Sequence, residues 1–331
     1  MSRPASGKGG RGRSSGRGGT PPRGKGKGRA RSAGASRSSA GRGGSRDGGA
    51  RGASTAPGEG AATGWSSNKH RGLGGEQVEG RQAVRELLLA GTRRVREVVV
   101  AEDQHERDTL ADIVDLAQDV RVPVRTVSRS ALAGMARTES PQGVLARAAA
   151  LPEAELEDLA EPVPGQPAPF LLAVDGVTDP GNLGALLRSA ECAGVTGVVL
   201  PRHRAVHVTP AVTKAAAGAV EHLPMAVVGG LPTALATLKD RGVWVVGLDA
   251  GGEVGLFDLP VADEPVCLVL GAEGAGLGRL VRQRCDVVAA IPLLGTLSSL
   301  NVSVAGALAC FEVVRRRQVA GRPAGGDAPT V

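Results

Sequence analysis

The sequence has no apolar run approaching the roughly 20 residues that cross a bilayer, so no membrane span is expected. Arginines stand near the N-terminus, but no apolar stretch follows them, and no secretory signal is expected. The four cysteines, Cys192, Cys267, Cys285 and Cys310, lie far apart with no CxxC pair. That argues against disulfide or thiolate-metal duty and for small buried apolar side chains. His203, His207 and His222 lack metal-ligand spacing with nearby carboxylates, so no metal is expected. A cytoplasmic protein without a membrane partner is the expectation.

Residues 1–71 lack large apolar side chains almost entirely, and Trp65 is their one aromatic residue. Nothing there offsets the entropy of ordering, so a disordered tail is expected over 1–72. The tail carries 16 Lys and Arg against Asp47 and Glu59, a net +14, whereas the rest of the chain is net −7. A basic segment beside a mildly acidic body points to a polyanionic partner. Gly41-Arg42-Gly43-Gly44 is similar to the RGG segments that grip RNA backbones without sequence preference. With almost no ring to stack on bases, the tail would contact phosphate and raise affinity without choosing a target. The plainer reading is an inert, solubilising extension. Residues 321–331 are expected to be a second disordered tail.

Ordered sequence begins near Glu76. Ala83, Val84, Leu87 and Leu88 have helical spacing, 95–100 is a β-branched run, and Leu110, Ile113, Val114 and Ala117 space a second helix. Residues 122–124 read as a short edge strand and 141–149 as a last strand. This is a small α/β unit over 75–150, a size at which domains fold independently. Residues 151–168 mix acids with Pro162, Pro164, Pro167 and Gly165, and predict an extended linker. Over 169–320, strand-like runs at 170–174, 197–200, 243–248, 266–270 and 287–291 alternate with helical stretches at 183–193, 209–219, 231–240, 277–285 and 303–317. That alternation predicts an α/β domain with a parallel sheet covered on both faces. Ligands in such sheets collect at the carboxyl ends of strands.

Three segments just after strands carry chemistry. The first, Asp175-Gly176-Val177-Thr178-Asp179-Pro180-Gly181-Asn182-Leu183-Gly184 through Arg188, enters a helix; Asn182 and Arg188, six apart, are expected near its start. Exposed amides at a helix start suit a phosphate, and a guanidinium forks onto phosphate oxygens. An Asp/Asn turn capping a helix with a solvated arginine is the plainer reading. The second, Gly271-Ala272-Glu273-Gly274-Ala275-Gly276, is a glycine loop with one acid. Glycine lets backbone approach a ligand closely, and a side chain at Gly271 is expected to fill that space. The dinucleotide fingerprint it superficially matches should follow the first strand with an acid about 20 residues on, and here Glu273 sits inside the loop. The third runs from Ile291 through Ser298, Ser299, Leu300, Asn301 and Ser303, where Ser and Asn also suit plain N-caps.

Together, in this order and spacing, the three segments resemble the signature motifs of the SpoU (TrmH-type) branch of the SPOUT RNA methyltransferases, over about 168–320. The stretch 298–305 followed by Cys310-Phe311-Glu312-Val313-Val314-Arg315 resembles the RlmB group, which methylates a guanosine ribose of 23S ribosomal RNA. Gly80-Arg81-Gln82-Ala83-Val84 and Pro141-Gln142-Gly143-Val144 resemble the family's L30e-like RNA-binding domain. The resemblance covers some 240 residues and leaves the basic tail without a counterpart.

The resemblance implies a parallel sheet with a C-terminal trefoil knot, a topology that periodicity never reveals because true knots are rare. It implies S-adenosylmethionine as cofactor, held by Gly271, Ile291 and Leu300 through backbone and apolar contacts. It implies a homodimer with the site beside the subunit interface, and Asn182, Arg188, Glu273, Ser299 and Asn301 as polar site residues. Ser299 and Asn301 would orient ribose or cofactor, and Glu273 would brace Asn182 or Arg188. Arginine is a poor base, with a pKa above 12, so Arg188 is read as orienting phosphate and hydroxyl, with the proton acceptor left open. Ala272 departs from a family position often held by Asn or Ser, which touches loop hydrogen bonding alone. Lys214 contacts RNA or is simply solvated. The same chemistry on transfer RNA, a ribosomal-RNA-binding assembly or resistance factor without turnover, and a nicotinamide-dependent dehydrogenase remain alternatives. The N-terminal unit argues against the first, the intact polar set against the second, and the misplaced glycine loop against the third.

Overall fold

The computed structural model describes residues 73–102, 107–203 and 206–320. The expected tails, 1–72 and 321–331, lie outside the described residues.

The first domain is a four-stranded sheet with helices. Its elements are β1 (Gln77–Glu79), α1 (Arg81–Ala90), β2 (Val95–Ala101), α2 (Arg107–Asp119), β3 (Val124–Val127), α3 (Arg129–Met135) and β4 (Val144–Ala148), with sheet order β1-β4-β2-β3. α1 buries Ala83, Val84, Leu87 and Leu88, the four positions whose spacing predicts a helix. It ends at Gly91, left-handed at φ 59°, the usual stop for a helix. β3 is an edge strand as expected but starts at Val124, beyond the Pro123 that lacks a ladder donor. α3, which sequence reading left out, is capped by Ser128, whose side chain accepts from the Ala131 N–H.

The predicted extended linker holds a helix, α4 (Leu156–Ala160), that buries Leu159 and Ala160. Glu157 and Asp158 in its first turn suit the helix dipole, and Gly197 leaves the space Leu159 fills: a Cβ there would lie 2.8 Å from Leu159. Tertiary packing, invisible in composition, orders this segment.

The second domain contains β5 (Phe170–Asp175), α5 (Pro180–Cys192), β6 (Gly197–Pro201), α6 (Pro210–Ala215), β7 (Met225–Val228), α7 (Leu231–Asp240), β8 (Trp244–Leu248), β9 (Val254–Gly255), β10 (Val266–Gly271), α8 (Arg279–Arg282), β11 (Val287–Ala290) and α9 (Val302–Ala320). Its seven strands, in order β7-β6-β5-β10-β8-β11-β9, pair in parallel throughout. Side chains alternate between two cores: Leu172, Val174, Leu268 and Leu270 pack with α5 and α9, while Leu171, Ala173, Cys267 and Val269 pack with α4 and α7. The three-layer architecture predicted from the alternation is therefore present, with β7 and β9 added as unpredicted edge strands. The helix expected over 209–219 stops at Ala215, because Ala217 (φ 51°) and Gly218 (φ 89°) turn left-handed before a 3-10 turn at Ala219–Glu221. The helix expected over 277–285 shortens to α8.

Cys267 and Cys310 are buried, and burial pushes the Cys310 thiol up to about 12. Cys285 is half-buried and raised to about 11, by burial first and then by neighbouring Asp286. Cys192 contradicts the buried reading: it is exposed at the end of α5. Among the described residues no helix is long and apolar enough to cross a membrane.

Candidate active site

β8, β10 and β11 end side by side at the centre of the sheet, and the chain leaving each one lines a single cavity of about 410 Å³. Its floor is apolar, with Leu248, Leu270, Ala289 and Ile291, and its rim carries Asp249, Glu273, Ser298 and Ser299. Gly271 and Leu300 also line it, so all three expected cofactor residues face the cavity.

The loop after β10 is a tight hairpin. Ala272 and Gly276 exchange backbone hydrogen bonds of 3.1 and 2.9 Å, with Gly274 and Gly276 at φ 77° and 65°, where side chains are strained. Gly271 is needed for another reason. A Cβ there would lie 2.2 Å from the carbonyl carbon of Gly276 and 2.5 Å from the amide nitrogen of Leu277. The expectation that a side chain would fill ligand space is corrected: it would first strike the loop's own backbone. Ala272, the departure from the family pattern, packs beneath Gly176, whose Cβ position is 3.3 Å away.

α5 begins where Asp179 caps the Asn182 N–H at 2.7 Å and Pro180 occupies the first turn. Asn182 then joins a directed relay. Ser303 donates from its backbone N–H (3.0 Å) and its hydroxyl (2.6 Å) to Asn301 Oδ1. Asn301 Nδ2 donates to Asn182 Oδ1 at 2.8 Å, and Asn182 Nδ2 donates to Glu273 Oε2 at 3.2 Å. Each amide is thus oriented by the donor before it, and the chain ends on the carboxylate at the cavity rim. Of the two bracing partners expected for Glu273, the structure selects Asn182.

Arg188 lies elsewhere, and the expectation that it sits near the helix start is corrected. Six residues advance a helix by about 9 Å and turn it through about 600°. Arg188 is therefore in the second half of α5, exposed, and lines an interdomain cleft of about 820 Å³ with Gly80, Arg137, Thr138, Gln142 and Lys214. Lys214 Nζ donates to the Ser140 carbonyl across the cleft, in a solvent-exposed contact.

Sequence reading missed Asp249. It follows β8 directly, and the rule that informative residues stand just after strands would have found it. Asp249 pairs with Arg282 at 3.0 Å and accepts from the Gly251 N–H at 2.9 Å.

An apolar floor, close-approach backbone at Gly271 and a carboxylate rim suit a ligand with a flat apolar ring, hydroxyls and a positive charge, and the volume lies in the range of small-molecule sites.

Comparison with known proteins agrees. The SpoU rRNA Methylase family model matches residues 169–311, and the RNA 2'-O ribose methyltransferase substrate binding model matches residues 77–154. The chain is 37% identical over 247 residues to the 23S rRNA (guanosine-2'-O-)-methyltransferase RlmB of Photobacterium profundum, covering 75% of this chain and 100% of that one. It is 42% identical over 243 residues to the RlmB of Xylella fastidiosa, covering 72% and 96%. The crystal structure of the SpoU methyltransferase AviRb from Streptomyces viridochromogenes, in complex with AdoMet, superposes with a TM-score of 0.63 at 26% identity, covering 74% of this chain and 91% of that one. With both of its domains matched and its relatives aligned over nearly their whole length, the chain belongs to the SpoU family of RNA 2'-O-ribose methyltransferases.

Proposed function

We propose that this protein methylates the ribose 2′-hydroxyl of a guanosine in 23S ribosomal RNA, using S-adenosylmethionine, in the cytoplasm. The observation that carries the reading is the convergence of Gly271, Glu273, Ile291, Ser299 and Leu300 on one cavity at the strand ends. S-adenosylmethionine supplies there a methyl group activated by its sulfonium charge. Leu248, Leu270, Ala289 and Ile291 provide apolar walls for the adenosine, and the backbone at Gly271 approaches it closely. Glu273 places negative charge at the rim, which complements a cationic donor. The relay from Ser303 through Asn301 and Asn182 fixes the carboxylate of Glu273, and Ser299, which lines the same cavity, orients the ribose hydroxyl. Arg188 faces the interdomain cleft, where its fork engages an RNA phosphate.

The protein works as a homodimer in this reading. Val304, Leu308 and Phe311, at i, i+4 and i+7, form an exposed apolar stripe on α9, continuous in sequence with the exposed Leu294 and Leu297 of the cavity loop. Such a stripe calls for a covering surface, and a second copy would bury it beside the cavity.

The test is incubation of the purified protein and labelled S-adenosylmethionine with ribosomal RNA from a strain deleted for it. One 23S guanosine should gain ribose methylation, read as resistance to alkaline cleavage. Methylation confined to transfer RNA, or absent from every RNA, would overturn the reading.

A further inference from the structure

The chain enters the first domain through residues 73–75 and leaves it through 149–151, and these two passages touch. Leu151 donates its N–H to the Gly74 carbonyl at 3.0 Å, and both Leu73 and Leu151 are buried in the core of the second domain. One guanidinium sits at this crossing. Arg93, in the loop between α1 and β2, donates from Nη1 to the carbonyls of Gly75 (2.7 Å) and Ala149, one on each passage. Its Nε and Nη2 donate to Glu221 of the second domain at 2.9 and 2.6 Å. The two side chains are 2% and 0% exposed.

The surface around the pair is built for close approach. Glu221 follows Gly218, where a Cβ would lie 2.4 Å from Glu86 Cβ of α1. Lys214 to Ser140 and His222 to Glu86 at 3.2 Å also cross the boundary, and both contacts are solvent-exposed. Exposed pairs contribute little and are screened by salt. A buried pair adds little net stability either, but it tolerates one geometry, because any displacement leaves a charge in low dielectric. The fork also needs four acceptors in fixed directions, which a lysine would not satisfy.

We propose that Arg93 and Glu221 are positioning residues for RNA methylation: together they staple both interdomain passages and hold the first domain at the angle that shapes the Arg188 cleft. The inference rests on the reading that the chain methylates RNA. The cleft draws Gly80, Arg137 and Gln142 from one domain and Arg188 and Lys214 from the other, so its width is set by that angle. The cofactor cavity lies wholly within the second domain and is independent of it.

Removing Arg93 alone would strand a buried carboxylate and endanger folding. The informative variant is the full-length double substitution Arg93→Met/Glu221→Leu, which keeps volume, leaves no unpaired charge and removes the carbonyl tethers. Its amides at 73–76 and 148–151 should exchange hydrogen at least about tenfold faster than wild type. KM for ribosomal RNA should rise about tenfold, with kcat and S-adenosylmethionine Kd within about twofold. Unchanged hinge exchange and unchanged RNA KM in the folded variant would overturn the staple. A parallel loss of kcat, RNA KM and cofactor affinity would also overturn it, since that pattern marks general structural damage. If wild type methylates no RNA, the functional reading fails, and the exchange comparison alone still decides whether the staple holds the hinge.

Discussion

Gly271→Ala tests the cofactor cavity with one added methyl group. The new Cβ would stand 2.2 Å from the Gly276 carbonyl carbon and 2.3 Å from its oxygen, over an ångström inside ordinary contact. The obstacle is backbone, so no rotamer change relieves it. The hairpin must swing away and lose the 3.1 and 2.9 Å bonds between Ala272 and Gly276, each contributing about 1 kcal/mol net. Overpacking adds about 1–3 kcal/mol when the loop is forced back. If binding requires the native loop, about 2 kcal/mol of that strain appears as about a 30-fold rise in S-adenosylmethionine Kd. Gly295→Ala is the control: it lies in the other cavity loop, with nothing within 4 Å of the added carbon, and should change Kd less than about twofold. Titration calorimetry on both, with melting curves to confirm folding, makes the comparison. A folded Gly271→Ala protein with wild-type affinity would refute the reasoning, because the loop would then not shape the site.

Arg188→Ala should abolish RNA methylation while leaving cofactor Kd within about twofold, because Arg188 lines the cleft and not the cavity; turnover and calorimetry separate the two. Glu312 is buried in the middle of α9, and the hydrogen bonds it accepts from Arg315, and then from Arg316, hold its carboxyl below the ordinary glutamate value. A lowered folded pKa means stability that is fully present above the unfolded value of about 4.3 and lost as pH falls below it and through the lowered folded pKa, so Glu312→Gln should melt lower at neutral pH and show a flatter acid limb. Phe311→Glu on the exposed α9 stripe should shift the sedimentation coefficient from dimer toward monomer; an unchanged coefficient would place the interface elsewhere. Deleting residues 1–72 should weaken RNA binding most at low salt and flatten its salt dependence, leaving the methylated nucleotide unchanged; equal salt slopes would make the tail inert.

Strands buried on both faces were the legible part of the fold. β5, β8 and β10 read as apolar runs because nothing polar can face either core, and α7 is bounded in sequence by Gly230 and Gly242. What escaped is held by contacts far away in sequence. β9 has two residues and exists because β11 offers it an edge. α4 depends on the missing Cβ of Gly197. In the site, residue types adjacent to strand ends carried most of the signal, so Glu273, Ser299 and Asn301 stood out. The amide relay did not, because Asn182 and Asn301 are 119 positions apart and meet through folding alone. Arg93 and Glu221, 128 apart, carried no sequence signal, since either alone reads as an ordinary surface charge.

The separation of Asn182 from Arg188 explains why the hinge matters. One end of α5 meets the cavity at the strand ends through the Asn182–Glu273 hydrogen bond, and the other faces the interdomain cleft through Arg188. The helix between them is fixed: Leu183, Leu186, Leu187 and Ala190 are buried, and two glycines bring neighbours into contact with it. A Cβ on Gly184 would lie 2.4 Å from Ala215 of α6, and one on Gly306 of α9 would lie 2.3 Å from Leu186. α6 carries Lys214, so one whole wall of the cleft is rigidly coupled to the cavity, and close-packed interiors transmit rather than absorb displacement. The opposite wall, with Arg137 and Gln142, belongs to a domain joined by two short passages. In the proposed reading, the distance from a bound phosphate to the reacting hydroxyl would be set by α5, and access to that phosphate by the angle at Gly75 and Ala149. A methyltransferase that must place an oxygen in line with a methyl group to within a fraction of an ångström has reason to bury an ion pair at the joint where that angle would otherwise vary.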